Sequence, residues 1–347
     1  MIINPLNFEK LIFKPEILLK VKNKEKFFPL HMTISLTNYC NHKCIWCSVY
    51  EYQQGKAIFF NADKLVAFLE KAAALGLQAV TYIGKGEPAL HPDFKDIVTR
   101  VNALGIEQGI FTNGTHLDRY ADQYLAYFSF IRCSLDAYDE ESHLKTHGVK
   151  NQFFKIIKNI EALTGKRQNP MPRIGAQFVY HNLNYKGIRE ITRISKEAGL
   201  DYLSFKPAFN LGATDVRGEK NTLQLSDMTE VIGDVRTEFE DDCFKVFFRD
   251  FQIQSIEKSI FDYGQCYAGI YSLYLFEDEN IYLCAHQKIK AGNINDTPEQ
   301  IMDTIYKTLP GINLKKCPGG CRYHSLNRLM HLLVHPDQRG FMNENFI

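Results

Sequence analysis

With 347 residues, 45% of them hydrophobic and 23% charged, the chain can bury a full-sized core and suits one large domain or a domain with an appendage. A formal net charge of +1 and a sequence pI near 7.6 exclude a global pull toward nucleic acid or acidic membranes, and the locally basic run "KVKNKEKFF" reads as solvated surface. The opening "MIINPLNFEKLIFKPEILLK" mixes charges and prolines into its apolar positions, so it has neither a signal-peptide core nor a spanning segment, which points to the cytoplasm.

From Met32 onward, short β-branched apolar runs alternate with amphipathic helical stretches, the pattern of a parallel α/β sheet. In chain order these are the strand "MTISLT", the helix "ADKLVAFLEKAAALG", the strand "AVTYIG", the helix "DFKDIVTRVNALG", the strands "EQGIFTN" and "FIRCSLD", the helix "NQFFKIIKNIEAL", and the strands "RIGAQFVYH" and "DYLSFKPA". Several helices end at Gly, as helix C-termini prefer. The six βα units between about Met32 and Asp242 are fewer than the eight of a complete barrel, and they predict a partial (β/α)6 TIM-like barrel or an open sheet. Beyond Asp242 the pattern changes. "CFKVFFRDFQ" reads as a strand, "YSLYLFEDENIYLCAH" as a hairpin turning at "EDEN", and "TPEQIMDTIYKTL" and "SLNRLMHLLVH" as short helices. Residues 1–30 are thus an N-terminal extension, 31–242 the barrel, and 243–347 a small C-terminal domain packed on it.

Seven of the nine cysteines fall in two spaced groups, and in a reducing compartment such groups point to metal or redox chemistry more than to disulfides. Cys40, Cys44 and Cys47 follow the first strand, in the loop at the carboxyl end of the sheet where α/β folds place their sites. Three thiolates are one short of closing a tetrahedral site, so a four-iron cluster held by them keeps one iron open to a small ligand; the alternative is a structural zinc completed by His42 or a distant residue. Cys266, Cys284, Cys317 and Cys321, with gaps of 17, 32 and 3 residues, can close a site completely, as a fully ligated cluster or as zinc.

The first trio, with Trp46 just before its last cysteine, resembles the signature of the radical S-adenosylmethionine (SAM) superfamily. That resemblance implies a [4Fe–4S] cluster on Cys40, Cys44 and Cys47 whose open iron chelates SAM. "GKGEP", Gly84 to Pro88, is similar to the family's Gly-Gly-Glu-Pro element, which assigns Gly84, Gly86 and Glu87 to the methionine amino group, with Lys85 standing where glycine is frequent. Strand alternation turns Arg132, Ser134 and Asp136 inward and leaves Cys133 to pack with Ile131 and Leu135; it also turns Gln177, Ser204 and Lys206 inward. Ser134 resembles the family's ribose-contacting position, and Asn113, in "FTNG", is placed to reach SAM or the substrate unless it serves only the Asn-Gly turn. The second cysteine group resembles the twitch version of the SPASM auxiliary domain, which carries one further [4Fe–4S] cluster, although Glu279 replaces a usual glycine.

The function so implied is reductive cleavage of SAM to a 5′-deoxyadenosyl radical and abstraction of a carbon-bound hydrogen. The resemblance further suggests oxidation or epimerisation at a carbinol centre of a sugar-like or aminocyclitol-like metabolite. Peptide modification is the alternative, and a non-catalytic iron–sulfur or zinc protein a third. Lys206 or His286 is the expected base and Cys243 the hydrogen donor of an epimerase. The expected partners are a small-molecule or peptide substrate and a low-potential electron donor, flavodoxin or ferredoxin, with no nucleic acid and no membrane.

Overall fold

The computed structural model describes residues 8–47, 49, 55–208, 223, 225–248, 261–317 and 321–335. Among the described residues ten strands form one sheet in the order β10-β9-β8-β1-β2-β3-β4-β5-β6-β7, with β10 and β7 outermost. The strands are β1 His31–Ile34, β2 Ala79–Tyr82, β3 Glu107–Thr112, β4 Phe128–Ser134, β5 Arg173–Tyr180, β6 Tyr202–Pro207, β7 Lys245–Phe248, β8 Ser272–Leu275, β9 Asn280–Cys284 and β10 Ile289–Asn293. Strands β1 to β7 run parallel, and helices follow the first six. The six expected βα units are therefore present, and β7 adds a seventh parallel strand beside β6. The last residues of the run read as this strand, from 249 on, lie outside the described residues.

The helices are α1 Pro15–Lys22, α2 Ala62–Ala74, α3 Phe94–Ala103, α4 Ala121–Tyr127, α5 Glu140–His147, α6 Phe153–Lys166, α7 Ile188–Glu197, α8 Leu225–Phe239, α9 Ala268–Tyr271, α10 Pro298–Thr308 and α11 His324–Val334. Their apolar stripes bury Leu65, Leu69, Ile97, Val101, Ile156, Ile160 and Ile191 against one face of the sheet. On that face the strands contribute Met32, Ile34, Val80, Ile110, Ile131, Cys133, Ile174, Ala176 and Leu203, so Cys133 packs as its strand phase predicts. The opposite face lines the lumen. Ser134, Gln177 and Ser204 lie in one lateral row across β4, β5 and β6, with Lys206 one pleat further.

The hairpin at "EDEN" forms as β8 and β9, and β8 lies parallel to β1, with His31 opposite Ser272 and Thr33 opposite Tyr274. The C-terminal residues thus extend the barrel sheet at both edges, through β7 at one and β8 to β10 at the other. The two expected terminal helices are α10, opened by a Thr297–Gln300 capping box, and α11. No helix among the described residues is long and apolar enough to cross a membrane.

Candidate functional site

The loop after β1 carries Cys40, Cys44 and Cys47 and is tied down from two sides. The first clamp is "GKGEP": the Gly86 and Glu87 amides donate to the Thr37 and Tyr39 carbonyls at 2.8 and 2.9 Å. A Cβ on Gly86 would fall 2.1 Å from the Tyr39 carbonyl oxygen, so this crossing of backbones requires glycine. The second clamp is the end of α5, where the His147 and Thr146 carbonyls accept from the Lys43 and Ile45 amides at 2.8 and 2.9 Å. Orphan carbonyls at a helix C-terminus are thereby used to seat the cysteine loop.

Glu87 is 3% exposed, and its carboxylate accepts from the Thr112 hydroxyl at 2.8 Å and the Asn113 amide at 2.7 Å, as well as from the Ala89 amide at 3.2 Å. Only one of these bonds falls on Oε2, which keeps room for another donor. Asn113 turns its side chain to the cysteine loop: its Nδ2 donates to Asn41 Oδ1 at 2.7 Å, and it reaches the Cys40 thiol. Lys85 points away from the loop into a buried ion pair with Glu277 in the β8–β9 turn, Nζ to Oε1 3.0 Å. The Ser35 hydroxyl donates to the other oxygen of Glu277 at 2.8 Å.

Behind Cys44 lies a group that sequence reasoning missed, apart from His42 and Asp136. His147 Nδ1 is 3.2 Å from Cys44 Sγ and 3.2 Å from His42 Nδ1, and the His143 ring stacks on His147 at 4.4 Å between centroids. Asp136 sits 3.7 Å from His147 Nε2, accepts from Trp46 Nε1 at 3.3 Å and from the Val179 amide at 2.6 Å, and lies within electrostatic reach of Lys206. Burial raises the Asp136 carboxyl to about 7 against the opposing pull of these partners. An imidazole N–H at this place can donate to the Cys44 sulfur. The only signal for it in the sequence is the pair His143 and His147, one helical turn apart on α5.

The four cysteines of the second group lie within electrostatic reach of one another. Burial pushes Cys266 to about 12 and Cys321 to about 11, as it pushes Cys40 of the first group to about 12, so each site holds thiols that ionise on binding metal. Donors already face these sulfurs: the Gln287 amide to Cys284 at 3.4 Å, Gln287 Nε2 to Cys317 at 3.2 Å, and Asn327 Nδ2 to Cys266 at 3.8 Å. Among the described residues the set of potential ligand atoms that all lie within 4.8 Å of one another is His42, Cys44 and His147.

The other expected residues separate. Ser134 and Lys206 are partly buried in the lumen wall with Gln177 and Ser204. His286 is exposed on the rim of a cavity of about 550 Å³ beside the second cysteine group, lined by Gln287, Ile312 and Lys316 among others. Cys243 does not face the lumen: it is exposed in the turn entering β7, where its amide donates to Asp241 at 2.8 Å. That turn is at the amino end of the sheet, opposite the first cysteine loop, so a hydrogen donor is misplaced there. Glu279 adopts φ +64°, the left-handed conformation for which glycine is usual, and its carboxylate pairs with Lys64 at 2.9 Å.

The family model of the radical SAM superfamily matches residues 34–204. A GTP 3′,8-cyclase of Mannheimia succiniciproducens is 32% identical over 136 residues, 38% of this chain and 40% of that protein. A tungsten-containing aldehyde ferredoxin oxidoreductase cofactor-modifying protein of Pyrococcus furiosus is 27% identical over 181 residues, 49% of each chain. The chain thus spans half or less of the length of these relatives. Among solved structures, SuiB of Streptococcus suis bound to the precursor peptide SuiA matches with a TM-score of 0.67 and 21% identity, over 94% of this chain and 79% of that one. anSMEcpe with bound AdoMet and a peptide matches with a TM-score of 0.60 and 17% identity, over 89% and 98%. These likenesses show the fold.

Proposed function

Because this chain carries a radical SAM domain over residues 34–204, we propose that it oxidises a carbon centre of a polar substrate held in the lumen between its two cysteine groups. The observation that carries this reading is the strand register. Tyr282 pairs with Tyr274, so the same register continued by two residues puts Cys284 level with Ser272 on β8 and with His31 at the start of β1, whereas the first cysteine loop leaves the far end of β1. At about 3.3 Å per residue, the five steps from His31 to Leu36 separate the two levels by roughly 16 Å, room for a substrate between them.

When bound, the first cluster and SAM supply a 5′-deoxyadenosyl radical that removes one hydrogen atom from the substrate. Cys40, Cys44 and Cys47 would hold that cluster, with Trp46 packed beside them; Gly84, Gly86 and Glu87 would receive the SAM ammonium, and Ser134 and Gln177 its ribose. Lys206, beside Asp136, would take the hydroxyl proton as the substrate gives up its second electron, and the cluster on Cys266, Cys284, Cys317 and Cys321 would accept that electron. The barrel, its helices and the C-terminal hairpin keep water from the reacting carbon. We assign residues 31–242 to the barrel and 243–347 to an auxiliary-cluster unit built onto its sheet.

The expectation of a sugar-like or aminocyclitol-like substrate finds no support in the relatives described above. A peptide substrate is the second reading, favoured by the likeness to SuiB with its precursor peptide. Anaerobic iron and sulfide analysis tests the core of the proposal. Replacing Cys40, Cys44 and Cys47 together by Ala should remove about half the iron and all SAM cleavage. Zinc in place of the residual iron overturns the second cluster. With the true substrate in heavy water, a two-electron-oxidised product free of carbon-bound deuterium is expected, and a product of unchanged oxidation state carrying one deuterium defeats the oxidation.

A further inference from the structure

Arg322, directly after Cys321, reaches the lumen side of the sheet. Its guanidinium lies over the Tyr274 ring at 5.5 Å and the Tyr323 ring at 4.7 Å, and Tyr274 is on the face of β8 that is level with Thr33 and opposite to the helix-packed Leu273 and Leu275. Among the described residues one of its five N–H donors is used, from Nη2 to the Tyr323 hydroxyl at 2.6 Å, and the buried Nε has no hydrogen-bond partner. Among the described residues no carboxylate pairs with it. His31, nearby at the foot of β1, holds Ser272 and Thr81 with its two ring nitrogens, each at 2.8 Å, and an imidazole carries no negative charge to meet the guanidinium. A second lumen guanidinium repeats the pattern: Arg132 is 8% exposed, donates from Nε to the Tyr202 hydroxyl at 3.0 Å and stacks over Phe111 at 4.8 Å, again with no carboxylate partner among the described residues.

Cys321 lies within electrostatic reach of Arg322 but accepts no hydrogen bond from it, so the buried Nε donor remains for an oxyanion to meet. The planar guanidinium fork matches the two oxygens of a carboxylate or phosphate, and flanking rings fix its plane before the ligand binds. We propose that Arg322 is the anchor for an oxyanion of the substrate, so that the lumen takes an anionic substrate whose carboxylate or phosphate end is held beside the second cysteine group. The proposal rests on the reading of the lumen as the substrate site.

The test is calorimetric titration of anaerobic holoprotein carrying both clusters and SAM, with inorganic pyrophosphate in one arm and succinate in the other. One saturable site per chain is expected in at least one arm, and the arm that binds names the oxyanion. R322Q should weaken that binding at least tenfold. R322K keeps the charge but loses the fork, so it tests the site even if R322Q fails to fold, and it too should bind more weakly than the parent. Iron content and SAM affinity should stay at the parent value in both variants; their failure in the parent itself would count against the radical SAM site and not against the anion anchor. A parent that binds neither anion overturns the proposal. So does R322Q binding as tightly as the parent, and so does R322Q losing only the iron of the second group, which would make Arg322 a partner of that cluster alone.

Discussion

Neutralising Glu277 should harm the protein more than removing the whole ion pair to which it belongs. Lys85 and Glu277 are 6% and 3% exposed and 3.0 Å apart, and Lys85 also lies over the Phe276 ring at 4.5 Å. Glu277→Gln removes the carboxylate that faces the buried Lys85 ammonium, a loss of about 3–5 kcal/mol. With an unfolding entropy of about 2.1 cal/mol/K per residue, 347 residues give roughly 0.7 kcal/mol/K, so the melting temperature should fall by roughly 4–7 °C. Lys85→Met together with Glu277→Leu removes both desolvation penalties along with the attraction and should stay within about 1 kcal/mol of the parent. Thermal and urea unfolding of Lys85→Met, Glu277→Leu and the double complete a double-mutant cycle, beside which Glu277→Gln is measured. If the double variant loses the sum of the single losses, the two charges are not coupled and the reasoning fails.

Glu87→Gln should weaken SAM binding, measured by equilibrium dialysis, while both clusters assemble; unchanged affinity removes Glu87 from the SAM site. His147→Phe should leave the iron content intact and lower the reduction potential of the first cluster, because an N–H donor to a cysteine sulfur favours the reduced state; an unmoved midpoint in an EPR-monitored titration shows that His147 does not donate to Cys44. Glu279→Gly should stabilise the protein by up to about 1 kcal/mol, since relief of the left-handed strain outweighs the half-exposed pair with Lys64. A drop in melting temperature would assign Glu279 a larger role in holding the turn.

Local pattern carried the elements and the inward rows. Period-two alternation was enough to put Ser134, Gln177 and Ser204 on one face and Cys133 on the other, because strands packed on both sides cannot choose otherwise. The cysteine loop and "GKGEP" were legible because close backbone crossing at Gly86 leaves a glycine in the sequence. What was not legible depends on pairings across long stretches of chain. Nothing local says that β8 lies beside β1, that Lys85 finds Glu277, or that the end of α5 brings His147 to Cys44. Cys243 failed for the same reason: a lone cysteine before a strand does not reveal which end of the sheet that strand enters from.

The union of β1 with β8 bears on how the protein is made. Strand β1 waits during synthesis with a bare hydrogen-bonding edge until the chain has reached Leu275. Until then the nascent sheet is open beside the very loop that must receive iron, and an uncovered parallel edge invites pairing with other chains. Such distant partners close slowly, because the loop entropy must be spent before any contact repays it. Iron delivered early would meet a half-built cradle lacking the Glu277 carboxylate that secures Lys85. A truncation before Ser272 should therefore aggregate instead of yielding a smaller working barrel.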